Sequence, residues 1–231
     1  MILLVVMGRI SRRRLGGGVF HVLNRGINKS WIMNDSEDRD FFLELLANEK
    51  RKFKMNVYHW CVMSNHFHLA VEALKVSDLS SYVGKVCELY SRHFHKRHGG
   101  CGTVWQGRFK SCVVQKEGYL LRLGRYIERN PVRAEIEKLP WDYAWSSARA
   151  YVKGSVDVLV EPEMHPVWNQ LGDSERRRRV KYSQILGDAN EAISDESMFI
   201  DVRNRVVGDE SFSRSLRSSL GRLISRKPGR R

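Results

Sequence analysis

Long apolar runs are missing from this sequence. Nothing in its 231 residues approaches the roughly 20 consecutive apolar positions that a membrane-spanning helix needs. The opening run MILLVVM is too short for a secretion signal and has neither a charged leader nor a cleavage site. Residues 1–9 are set aside as an N-terminal extension, read as an extra strand or as the product of an upstream start. Paired cysteine spacing is missing too. Cys61, Cys87, Cys101 and Cys112 form no CxxC pair, so they read as buried free thiols in a reducing compartment. Acidic charge is scarce: 26 Asp and Glu stand against 40 Lys and Arg, a net +14. That imbalance points to a polyanionic partner, nucleic acid foremost. No long amphipathic Lys/Arg helix argues for a membrane surface instead. With 42% hydrophobic residues the chain can bury a substantial core.

The order of elements comes from periodicity. VFHVLNR at 19–25 alternates like a strand. Asp35 is an N-cap signal for a helix carrying Phe41, Phe42, Leu45, Leu46 and Phe53. MNVYHWCVM and HFHLAVEA flank the polar break Ser64-Asn65 as a hairpin. Leu79, Tyr82, Val83, Val86, Leu89 and Tyr90 recur at helical spacing up to Gly99-Gly100. FKSCVVQK at 109–116 reads as another strand, and 117–129 as a helix stopped by Asn130-Pro131. This order predicts an α+β domain with a ferredoxin-like antiparallel sheet and helices packed on it. Further helices would have to cover the sheet's second face. Past Tyr151 the pattern weakens into a basic, partly helical extension. It carries the run Arg176 to Arg179 and a tail with no acid after Glu210, which is either a phosphate-binding arm or a frayed terminus.

Strand alternation in HFHLAVEA puts His66, His68, Ala70 and Glu72 on one face and Phe67, Leu69, Val71 and Ala73 on the other. The two imidazoles then point the same way, about 7 Å apart along the backbone. They either converge on one divalent cation or are a pair of surface histidines. His93-Phe94-His95 repeats the letters inside a helix, where residues two apart diverge by about 200° and cannot chelate together. That second motif reads as helix surface. In LLRLGRYIERNPVRA, Leu120, Leu123, Gly124 and Ile127 form the core stripe, with Tyr126 and Asn130 on an adjacent face. A phenol ionises near about 10, and guanidinium groups from Arg122, Arg125 and Arg129 would favour the phenolate and hold a phosphate beside it. Tyr126 is otherwise an ordinary boundary residue. Asn130 either completes a neutral three-ligand site suited to Mg²⁺ or Mn²⁺ or caps the helix ahead of Pro131.

The strings VMSNHFHLAVE, VWQGRFKS, RYIERNPVRA and WSSARAY, in that order, with HVLNRGINKS near the start, resemble the bacterial single-tyrosine HUH transposases. The REP-associated tyrosine transposase branch is the nearest in pattern. The resemblance covers about residues 10–151, which it marks as the HUH endonuclease-fold domain, and leaves 152–231 as the extension. It implies a metal-dependent single-stranded DNA endonuclease and strand transferase with a 5′-phosphotyrosine intermediate, acting next to DNA hairpins. By motif, His66, His68 and Asn130 would bind Mg²⁺ or Mn²⁺, and Tyr126 would attack. Arg25, Gln106, Arg108, Lys110, Arg122 and Arg129 would contact DNA. A homodimer is open, and neither a membrane nor a small-molecule substrate is expected. The setting implied is the bacterial cytoplasm, at the nucleoid. Three rivals stand beside it: a plain metal nuclease, a catalytically silent DNA-binding protein derived from a transposase, and an RNA-binding module stacking bases on Tyr58 and Trp60.

Overall fold

The computed structural model describes residues 16–188, 206–209, 211–216 and 218. The N-terminal extension 1–9 and the basic residues from Arg222 onward lie outside the described residues. Strand β1 (Gly18–Arg25) leads through the short turn Ile27–Lys29 to helix α1 (Ser36–Phe53). Strands β2 (Asn56–Val62) and β3 (His66–Ala73) follow, then helix α2 (Val76–His98), strand β4 (Lys110–Val114) and helix α3 (Lys116–Glu128). A single turn α4 (Asn130–Arg133), then α5 (Ala148–Lys153), α6 (Glu175–Gly187) and the two-residue strand β5 (Val206–Val207) complete the description.

Local chemistry sets these boundaries. The Asp35 side chain accepts from the Asp38 N–H at 3.0 Å, capping α1. The last turn of α1 is basic and the helix ends at left-handed Lys54. Helix α2 ends at Gly99, whose φ of 78° suits glycine. Helix α3 stops at Glu128, and Pro131 sits in the first turn of α4, where its missing N–H costs no bond.

The sheet order is β2-β3-β1-β4-β5. The first four strands pair antiparallel in the ferredoxin-like arrangement, as the element order requires. The fifth departs from an all-antiparallel sheet: β5 runs parallel to β4, with Val113 opposite Val206 and Val114 opposite Val207. The outer edge of β2 is covered by residues 145–147. Val62 N–H donates to the Trp145 carbonyl, and Ser147 N–H to that of Trp60.

Helices α1 and α2 cover one face, where Phe42, Leu46, Leu79, Tyr82, Val83, Val86 and Tyr90 bury against Phe20, Val22, Phe67, Leu69 and Val71. The core tyrosines still bond: Tyr82 donates to the Leu46 carbonyl and Tyr90 to that of Ile32. Helix α3 hides the other face, with Leu120, Leu123 and Ile127 against Val19, Cys61, Ala70, Cys112 and Val114. Tyr58 and Trp60 are core residues, so neither is open to stack a base. All four cysteines are free; Cys101 is exposed, Cys87 is half-buried, and only Cys61 and Cys112 are fully buried. Among the described residues no helix is long and apolar enough to cross a membrane.

Candidate active site

The alternation of β3 aims His66 and His68 at the α3 side of the sheet, while Phe67 enters the opposite core. The two imidazoles lie with ring centroids 5.0 Å apart and planes perpendicular. Antiparallel pairing sets Leu23 of β1 opposite His68 and His21 opposite Ala70, which brings a third histidine to the cluster. His21 stacks on His68 at 5.1 Å, and its Nε2 lies 2.9 Å from His68 Nδ1. Nδ1 of His66 is engaged by Asn65 Oδ1 at 2.5 Å. In both predicted ligands one ring nitrogen is therefore fixed by a neighbour, which sets the direction of the other.

Helix α3 delivers Tyr126 to the same spot within the same chain. Its ring lies edge-on to His68 at 5.7 Å and to His21 at 5.9 Å. The Asn130 amide nitrogen donates to the carbonyls of Tyr126 and Ile127, at 3.1 and 2.9 Å. Nδ2 is committed there, and Asn130 lies close enough to His66 to oppose part of the fall in its ionisation. The two alternatives for Asn130 are thus compatible, since it ties off the end of α3 and stands beside His66. Arg133 sits over the Tyr126 ring at 4.1 Å and also donates to its carbonyl at 2.5 Å.

Burial, reinforced by the nearby charges of Arg25 and Arg133, pulls the ionisation of His66 down to about 4 and that of His68 well below the ordinary histidine range. Burial takes His21 to about 3. All three rings are neutral at pH 7, as metal ligation requires. Two neutral imidazoles and an amide oxygen make a donor set compatible with a Mg²⁺ or Mn²⁺ ion that also carries water and phosphate oxygens. Among the described residues no group of three His, Cys, Asp or Glu side chains is arranged to hold a metal. Nε2 of His21 is taken up by His68.

The residues expected to touch DNA divide into two groups. Arg25 pairs across the ladder with His66, and its carbonyl takes the Gln106 N–H at 2.8 Å. Arg25, Gln106 and the exposed Arg108 therefore gather at the histidine end of the sheet. Lys110 is exposed at the start of β4. The α3 arginines go elsewhere. Arg122 lies over Tyr119 at 5.6 Å, Arg125 is buried and donates to the Asp188 carbonyl, and Arg129 donates to that of Leu186. The cation packed on the Tyr126 ring is Arg133.

Residues 18–130 match the family model described as transposase, IS200-like. This segment belongs to that family. A solved structure described as a REP-associated tyrosine transposase bound to a REP hairpin matches with a TM-score of 0.53 and 19% identity. The match covers 67% of this chain and 92% of that one, and at such identity the likeness is one of fold. No curated protein matches in sequence.

The match to the IS200-like family ends at Asn130, yet the transposase-family domain is held by residues beyond it. Glu128, fully buried on α3, takes Ser147 Oγ at 2.6 Å and the Tyr182 hydroxyl at 2.8 Å, and lies 2.9 Å from His59 Nδ1. The other His59 nitrogen meets His165 at 3.1 Å. A β-bulge between Val57 and His59 turns that imidazole toward α3. Gly124 lets it in, since a Cβ there would come within 2.4 Å of the ring. The second His-Phe-His motif is partly tucked between helices: His93 stacks on Phe41 at 3.8 Å, and Arg97 and His98 bind Asp38.

Proposed function

We propose that this chain is a metal-dependent single-stranded DNA endonuclease and strand transferase that acts beside DNA hairpins through a covalent 5′-phosphotyrosine. The observation carrying this reading is the meeting of Tyr126 with His68 and His21 in one chain, with His66 and Asn130 close by. A hydrolase has no need of a tyrosine there, whereas a transferase does.

His66, His68 and Asn130 would hold the cation. When bound, it supplies Lewis-acid charge to the scissile phosphate. The rest belongs to the side chains. The guanidinium of Arg133, 4.1 Å over the Tyr126 ring, is a positive charge that would hold a phosphate beside that tyrosine. Arg25, Gln106 and Arg108, at the histidine end of the sheet, would orient the strand. The phenolate oxygen bonds to phosphorus as the bond from phosphorus to the 3′ oxygen breaks in line. The phenol proton is lost and the departing oxygen gains one, which leaves a 5′-phosphotyrosine and a free 3′ hydroxyl. A second 3′ hydroxyl can reverse the step without ATP, because the phosphodiester energy is conserved in the tyrosyl ester.

The test uses end-labelled single strands carrying a hairpin, with and without Mg²⁺. Wild type should form a denaturation-resistant protein–DNA adduct, and Tyr126→Phe should form none while binding DNA nearly as well. Cleavage without an adduct would make the chain a plain nuclease. Binding with neither cleavage nor adduct would make it a silent DNA-binding relative.

A further inference from the structure

Trp31 is 70% exposed, although the next two residues, Ile32 and Met33, are buried at 2% and 0%. An indole has roughly 150–250 Å² to bury, so leaving one in water calls for a reason. Its loop is not loose. Ile32 and Met33 N–H both donate to the Ser64 carbonyl at 2.9 Å, Gly26 N–H to that of Asn65 at 2.8 Å, and Ile27 N–H to that of Val104 at 3.0 Å. Asn65 Nδ2 donates to the Lys29 carbonyl at 3.1 Å, and the Tyr90 hydroxyl to that of Ile32 at 2.6 Å. Asn28 and Lys29 are held in the left-handed region, with φ of 51° and 62°, a conformation that persists only where its surroundings enforce it.

The same Asn65 that anchors this loop engages His66 Nδ1. Trp31 therefore rides on a preorganised loop wired to one end of the proposed catalytic pair. The stretches around it are cationic, and the nearest carboxylates past them, Asp35, Glu37 and Asp38, are paired with Arg97. No Asp or Glu occurs from Gly16 to Asn34 or from Gly99 to Lys116, the two stretches that meet at the Ile27–Val104 and Arg25–Gln106 bonds. Lys29 and Arg108 are exposed and Arg25 half-exposed. A rigid aromatic face among cations, with no carboxylate in either stretch, is the arrangement that holds an unpaired base and its phosphates. An apolar protein partner would have no use for the charge.

We infer that Trp31 is a stacking platform for an unpaired nucleobase in the single-stranded segment joining the hairpin to the scissile phosphate. This rests on the reading of the chain as a single-strand transferase and adds the group that grips the unpaired strand.

The experiment compares full-length wild type, Trp31→Ala and Trp31→Phe on one hairpin, either blunt or carrying a single-stranded flank. Dissociation constants and adduct rates are measured on both. Trp31→Ala should bind the flanked hairpin between about 5- and 150-fold more weakly, the range found for one stacked base, and leave the blunt hairpin within about twofold. Trp31→Phe should recover most of the loss. An abasic site at the stacked position should weaken wild type similarly and add nothing to Trp31→Ala. Equal weakening on both substrates, or no weakening on either, overturns the inference. An adduct formed normally by a Trp31→Ala protein with unaltered affinity sinks the platform alone. Trp31-dependent binding of the flank without any adduct supports the platform and sinks the transferase.

Discussion

Removing one oxygen from Tyr182 should loosen the helix that carries Tyr126. In Tyr182→Phe the ring keeps its packing beside Tyr151, at 4.9 Å, and Trp168, at 6.0 Å. Only the hydroxyl is lost, which donates to Glu128 at 2.8 Å and lies 3.3 Å from His59 Nδ1. Both partners are completely buried, so no water replaces it. Burial has already pushed Glu128 up to about 8, against the pull of the Ser147 and Tyr182 hydroxyls. A buried acceptor deprived of a donor costs ~1–3 kcal/mol. For a domain of this size each kcal/mol lowers the melting temperature by about 2–4 °C, so the variant should melt roughly 2–12 °C below wild type. Circular dichroism melts read this directly. Ser147→Ala should cost at least as much, because its hydroxyl serves the other carboxylate oxygen and also accepts from the Trp60 N–H at 2.9 Å. The double variant should depart from additivity by about 0.5 kcal/mol or more, since the two hydroxyls share one acceptor. A melting temperature unchanged within about 1 °C, or strict additivity, would refute the idea that these hydroxyls stabilise Glu128.

Two further outcomes follow from the geometry. His21→Ala removes the partner of His68 Nδ1; hairpin binding should persist, while the Mg²⁺ concentration supporting half-maximal adduct formation should rise about 10- to 100-fold, and an unchanged metal titration would remove His21 from the site. Asp35 is drawn down to about 2, chiefly by its hydrogen bond with Arg97. A carboxyl depressed in the folded state adds stability that is fully present above its ordinary value near about 4 and is lost as pH falls through its folded value. The acid limb of a melting curve between about pH 4 and 2 should therefore flatten in Asp35→Asn, which keeps an oxygen to cap α1; an unaltered limb contradicts the assignment.

Short-range patterns in the sequence carried over best. Alternation in HFHLAVEA anticipated which face each β3 residue takes, and Asp35 capped α1 as its letters suggest, because both depend on bonds within a few residues. The third histidine stands in the same alternation, with His21 between Phe20 and Val22. Its place beside His68, however, depends on pairing across 47 residues, which no local pattern encodes. The arginines of α3 were read from spacing as neighbours of the phenol. Arg122 lies over Tyr119, while Arg125 and Arg129 donate to carbonyls at the end of α6, a helix whose four consecutive arginines mask the buried Tyr182 and Leu186. Arg133, past a helix-stopping proline, is carried back over Tyr126 by the single turn α4. Strand β5, at two residues, is too short to leave any periodicity.

The bonds from α6 onto α3 make the later segment a splint for the earlier one. A chain cut just past Asn130 would keep every residue of the family match. It would also leave Glu128 without Ser147 and Tyr182, and the ends of Arg125 and Arg129 without their carbonyls. Such a fragment would keep Tyr126 on a helix still packed against the sheet but stripped of these outer bonds. Swapping the terminal segment between relatives should succeed only when Tyr182 and the carbonyls of Leu186 and Asp188 travel with it.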